Sequence, residues 1–163
     1  MINFQIDQYH FEVFEYFEDV AQEWEVFNKN DGLSRSALQG VEQSDVKGIK
    51  PYYALVKHNG DLTGIMYFQM LNFRADFLNL SVFNKWYFNF IQFFINRLNT
   101  YLLINGNMFR TGLPAFYGLK VDEVARFTKV IAKEKMLGKL VCGIMVKDLP
   151  EYLSDSVVKQ FAY

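Results

Sequence analysis

Two hydrophobic periods alternate along this chain, and each change of period marks an element. Phe11, Phe14, Val20, Trp24 and Phe27 fit helical spacing, while the segment from Tyr9 to Phe14 has the composition of a strand. The pattern predicts a strand over 10–15 and a helix over 18–28. Asn28-Lys29-Asn30-Asp31-Gly32 breaks that helix, because Gly, Asn and Asp accept backbone conformations that other residues resist. Ser34 then stands where an N-cap belongs. A short helix is expected over 35–43, with Leu38 and Val41 or Glu42 facing inward.

Tyr52-Tyr53-Ala54-Leu55-Val56-Lys57 reads as a strand, and His58-Asn59-Gly60-Asp61 as the turn that reverses it. Asn-Gly is a strong hairpin signal because both residues tolerate positive φ. The return strand is expected over 62–73. Its stretch 64–70 is apolar on both faces, which places it in the middle of a sheet.

A helix is expected over 85–98. Lys85, Asn89, Gln92, Asn96 and Asn99 fall three or four residues apart, on one narrow polar stripe. Trp86, Phe90, Phe93, Phe94 and Leu98 spread over most of the remaining circumference. An ordinary surface helix buries an apolar stripe of roughly 100°. This one needs cover on more than one side: a second helix, a second domain or another subunit. An exposed aromatic patch and a dimer or larger species are therefore expected. The polar stripe reads either as a wet face or as a row of amides for a polar ligand.

A short buried strand is predicted over 101–105 and a long Gly-, Asn- and Pro-rich loop over 106–118. A helix follows over 121–136, with Val121, Val124, Ala125, Thr128, Ile131 and Ala132 inward. Asp122 and Glu123 in its first turn and Lys133 and Lys135 in its last complement the helix dipole, and Gly138 stops it. Leu140–Val146 is a last strand, read as buried, with Cys142 as a small hydrophobe inside it. A short helix is expected over 154–160. Helices between the later strands require crossovers, and crossovers bring parallel pairing. The fold class is mixed α/β (α+β), in one domain spanning 1–163.

The 163 residues are 51% hydrophobic and 21% charged, the balance of an ordinary folded domain. The unusual figure is 18% aromatic, with 17 Phe and 10 Tyr. Such side chains supply a large core for a small chain. A net charge of −1 argues against nucleic acid as the partner, since phosphate binding needs a basic excess or patch. One cysteine excludes an internal disulfide, and two histidines with one cysteine do not make a typical zinc site, so no metal is expected. The stretch 77–98 is interrupted by Lys85, Arg97 and several Asn, and falls short of a membrane span. Met1-Ile2-Asn3-Phe4 has no basic and apolar leader pattern, so a cytoplasmic location is expected.

Candidate chemistry is thinly spread. The loop Asn105-Gly106-Asn107-Met108-Phe109-Arg110-Thr111-Gly112 follows a predicted strand, and ligands gather at strand ends in α/β sheets. Its glycines allow backbone amides to point at an anion, and Arg110 adds charge. Asn105, Asn107, Arg110, Thr111 and Gly112 are the substrate-binding candidates; the alternative is an irregular connection in which the glycines serve geometry alone. Lys147 and Asp148 end the last strand and read either as acid/base groups or as a polar terminus. Glu42 could meet a polar substrate or stay solvated. His58, in the hairpin turn, reads as solvated.

The assembled residues resemble a known family. Trp24 followed by Asp31-Gly32-Leu33-Ser34, then Leu38 and Glu42-Gln43-Ser44, resembles the opening of FemAB-like proteins, GNAT-type N-acyltransferases of the peptidoglycan-biosynthesis kind. The hairpin Tyr53-Ala54-Leu55-Val56-Lys57 to Gly64-Ile65 looks like the family's second and third strands. Gly106-Asn107, Thr111-Gly112 and Val146-Lys147-Asp148-Leu149 look like its later segments. The resemblance implies a GNAT-like central mixed sheet flanked by helices, and transfer of an acyl or aminoacyl group to an amine. It departs from the family at Gly112-Leu113-Pro114-Ala115, where the Arg/Gln-x-x-Gly-x-Gly/Ala loop that cradles the coenzyme A pyrophosphate is missing. No cofactor is therefore expected on this chain; an acyl-CoA or aminoacyl donor belongs to the intact system. Relatives of this kind are about twice as long, so the chain is expected to match an N-terminal half whose partner is a second GNAT-like half or another copy. The competing expectation is a non-catalytic module that docks such a partner.

Overall fold

The computed structural model describes residues 1–27, 33–44, 46, 48–72, 93, 97, 100–109, 115–135 and 137–147. They form a mixed α/β fold on one sheet. The strands are β1 (Ile2–Ile6), β2 (Tyr9–Phe14), β3 (Ile49–His58), β4 (Asp61–Asn72), β5 (Thr100–Asn105), β6 (Phe116–Tyr117) and β7 (Leu140–Val146). The helices are α1 (Ala21–Phe27), α2 (Arg35–Gln43) and α3 (Val121–Lys133), with a single 3₁₀ turn at Phe17–Asp19 before α1. The strand order is β1-β2-β3-β4-β5-β7, and β6 pairs with β4 beside β5. Neighbours are antiparallel except β5 and β7, which run parallel with α3 as their crossover.

Local sequence accounts for most of these elements. Asn59 and Gly60 both take positive φ, at 52° and 91°, so β3 reverses tightly into β4. Residues 64–70 of β4 are all buried, between β3 on one edge and β5 with β6 on the other. Helix α2 has the expected bounds and buries Leu38. Helix α3 buries Phe127 besides most of the expected inward positions. It ends at Lys133, three residues before the expected stop, and Lys135 behind it turns to φ 52°.

The two sheet faces carry separate cores. On one, Phe11, Met66 and Phe68 pack against Val124, Phe127 and Ile131 of α3. On the other, Tyr53, Leu55, Ile65 and Tyr67 pack under Phe17, Trp24 and Leu38. Phe17, Trp24 and Tyr53 meet edge to face with centroids 5.6–6.0 Å apart, the arrangement that ring quadrupoles favour.

The structure corrects several expectations. Strand β1 was not expected, although Ile2-Asn3-Phe4-Gln5-Ile6 alternates with period two; it pairs with β2 through a turn at Asp7, whose φ is 53°. Strand β6 lies inside what read as a continuous loop. Strand β7 exists with the expected bounds but is not buried. It is the last strand in the order, and Leu140, Cys142 and Met145 are exposed. His58 is half-buried rather than solvated, with its ring 4.9 Å from that of Tyr9 and its Nε2 buried. The breaker at 28–32 and the helix expected at 154–160 lie outside the described residues. So does the helix expected over 85–98, apart from Phe93 and Arg97: both are helical, Phe93 is exposed, and the Arg97 guanidinium sits 5.8 Å from its ring.

Candidate functional site

Strands β5 and β7 end side by side, and the chain beyond β5 is held at that end. The Lys147 N–H donates to the Asn105 carbonyl at 3.0 Å, and Lys147 Nζ donates to the Asn107 carbonyl at 2.7 Å. Across β4, Tyr67 gathers both ends of the loop that separates β5 from β6. Its carbonyl accepts the Gly106 N–H and Asn105 Nδ2, both at 3.2 Å, and its N–H donates to the Ala115 carbonyl at 2.8 Å. Gly106 has φ 131°, and a β-carbon there would lie 2.9 Å from the Lys147 side chain. A side chain at this position collides with Lys147, the residue that follows β7, and the positive φ also favours glycine.

The opposite face of β4 adds a buried polar chain. Gln69, with no exposed surface, accepts the Met108 N–H at 2.7 Å and donates to the Tyr67 hydroxyl at 2.9 Å. The Tyr67 ring lies 5.5 Å from that of Tyr53. The Tyr53 hydroxyl is buried without a hydrogen bond of normal geometry among the described residues, as is Asn105 Oδ1. The Glu42 carboxylate of α2 stands beside the Tyr53 hydroxyl and accepts the Phe17 N–H at 2.7 Å. Burial first, then Glu42, holds Tyr53 protonated far above the ordinary tyrosine range. Burial also raises Tyr67; the Gln69 hydrogen bond opposes that, and the Glu42 charge adds to it. Both hydroxyls therefore keep their protons and act as hydrogen-bond partners, not as acids at neutral pH.

Glu42 also lines open space. A cleft of about 420 Å³ at the C-terminal end of α2 has Glu15, Tyr16, Glu42 and Lys50 on its walls. Lys50 Nζ is 2.6 Å from the Glu15 carboxylate, so that pair is neutral as a unit. Among the described residues no cation pairs with Glu42. The carbonyl end of α2 adds partial negative charge at the same place. These groups leave the α2 side of the cleft negative.

Of the residues singled out from the sequence, Asn105, Asn107 and Lys147 come together at the end of the parallel pair. Glu42 stands apart from them on α2, linked through Gln69, Tyr67 and Tyr53. Arg110, Thr111, Gly112 and Asp148 lie outside the described residues. Sequence reasoning missed Tyr53, Tyr67, Gln69, Glu15 and Lys50. One signal was visible: Gln69 interrupts an apolar run in a strand expected to be buried on both faces, and a buried amide needs partners. Among the described residues no group of three or more His, Cys, Asp or Glu is placed to hold a metal ion. No described helix is long and apolar enough to cross a membrane. No protein-family model, curated protein or solved structure matches the chain.

Proposed function

We propose that this chain is an N-acyltransferase-like domain whose amine acceptor binds at Glu42. The observation that carries the reading is a carboxylate on the wall of an open cleft with no cationic partner among the described residues, while the other carboxylate there, Glu15, has one. An ammonium is the group that completes it. In the transfer step the acceptor nitrogen forms a bond to the acyl carbon and the bond from that carbon to the leaving thiolate or alkoxide breaks. The bound ammonium first gives one proton to Glu42, which frees the lone pair for attack; the second proton leaves the nitrogen with the departing thiolate or alkoxide, released as thiol or alcohol. Glu42 is the catalytic residue of this reading. Asn105, Asn107 and Lys147, at the strand ends where ligands gather in parallel sheets, belong to the donor side. The resemblance to FemAB-like and GNAT-type proteins supplies the acyl or aminoacyl chemistry, and the donor is a thioester or aminoacyl group in the intact system.

Titration of the full chain with ethylammonium chloride, followed by backbone amide shifts in NMR, tests the acceptor site. Shifts centred on Tyr16, Val41 and Glu42, lost in Glu42→Gln, are expected. Glutamine keeps an oxygen for the Phe17 N–H, so the variant removes charge and little else. No shifts at these amides, or equal binding by Glu42→Gln, overturns the reading.

A second reading has its own observation. Among the described residues β7 is the last strand of the sheet, with Leu140 and Met145 exposed, and an apolar edge is a template for pairing. In that reading the chain is a non-catalytic module that docks a second half or another copy. A dimer in light scattering that becomes a monomer in Leu140→Asp with Met145→Asp supports it; an unchanged mass removes it.

A further inference from the structure

The Glu42 cleft has a neighbour of opposite character. A slot of about 280 Å³ runs between α2 and the chain beyond β5, and its walls include Ala37, Gly40, Val41 and Phe109. The surface exposed in it is almost wholly apolar. Val41 and Val46 line both spaces, so the slot opens beside the carboxylate rather than on a remote surface. Phe109 is exposed there, while Asn107, on the same wall, is buried and turns its Oδ1 to the Phe109 N–H. That hydrogen bond settles the bend that presents the ring. Gly40 faces free space: a β-carbon built on it meets nothing within 4 Å. Glycine is the poorest helix former after proline, and α2 carries it in its middle with no turn or close approach requiring it. The missing side chain leaves the slot open.

We infer that the acceptor is an amphipathic amine: its ammonium sits on Glu42 and its short apolar arm passes over Val41 into the slot beside Gly40. The inference rests on the amine reading and adds the class of amine. Charge selects the head, and burial of the arm selects the length, each methylene adding about fourfold in affinity. The slot holds an arm of a few carbons, well below the size of a large ligand site.

Ethylammonium and hexylammonium chloride separate the two parts. The wild-type chain is expected to bind hexylammonium at least tenfold more tightly, with additional shifts at Gly40 and Phe109. Gly40→Leu fills the slot and improves helix propensity. It should bind hexylammonium no better than ethylammonium, with ethylammonium affinity unchanged. Gly40→Ala, which leaves most of the slot open, should behave as wild type, and circular dichroism confirms that both variants fold. Equal wild-type affinity for the two amines, or undiminished hexylammonium binding by Gly40→Leu, overturns the slot while leaving Glu42 as an ammonium site. Hexylammonium binding that survives Glu42→Gln removes the amine reading, and this inference with it.

Discussion

The side-chain oxygen of Gln69 accepts the backbone N–H of Met108 at 2.7 Å. A fully buried residue of the central strand thereby holds the chain just beyond β5, and the same amide donates to the Tyr67 hydroxyl. Replacing Gln69 with Leu keeps the volume but strands both partners. Loss of about 1–3 kcal/mol of stability is expected, read from denaturant unfolding. Hydrogen exchange at Met108 should accelerate with it. A variant as stable as wild type, with unchanged exchange at Met108, would show that Gln69 does not hold this segment.

Two glycines with positive φ test backbone freedom against close approach. A β-carbon on Gly118 would lie 2.2 Å from the Thr63 carbonyl oxygen and 2.8 Å from the Phe27 ring, whereas one on Gly60 meets nothing within 4 Å. Gly60→Ala carries only the conformational penalty, about 1 kcal/mol. Gly118→Ala must also push β4 and the chain before α3 apart, and should cost on the order of 3 kcal/mol or more. Equal melting temperatures for the two variants would contradict this contact.

Alkaline pH should unfold the domain through its buried tyrosines. Tyr53 and Tyr67 are both raised well above the ordinary value of 10.0. The folded chain then holds protons that the unfolded chain releases near that value. Above it the unfolded state binds fewer protons, so stability falls as pH rises; below it this contribution is fully present. In an absorbance titration at alkaline pH, two of the 10 tyrosines should ionise only as far-ultraviolet circular dichroism is lost. All of them titrating together near pH 10 with the structure intact would refute the burial argument.

The donor side yields a sharper contrast. A pyrophosphate is held by convergent backbone N–H groups in a glycine-rich loop, and the motif that builds such a loop is absent here. Calorimetric titration of the full chain with acetyl-coenzyme A should show binding no tighter than millimolar. A micromolar dissociation constant would reinstate a stand-alone enzyme.

Much of the fold was written in short segments. The Asn59-Gly60 turn, the β3–β4 hairpin, α2 and α3 follow from periods of two and 3.6 residues and from residues that tolerate positive φ, all of them local properties. That α3 joins parallel strands also followed from the order of elements. The standing of β7 did not. Its apolar run reads the same for a central or an edge strand; the strand order puts it last among the described strands, and Cys142, skipped in the pairing with β5, is exposed. The candidate site was legible in the same uneven way. Asn105 and Asn107 belong to one segment and were found together. Glu42, Tyr53 and Gln69 come from a helix and two strands, with nothing between neighbours in sequence to link them. Their meeting depends on the β3–β4 register and on how α2 lies across that sheet face. Sequence by itself determined which elements form; tertiary packing decided which polar groups are buried together, because desolvation and hydrogen bonding act between atoms close in space, however distant along the chain.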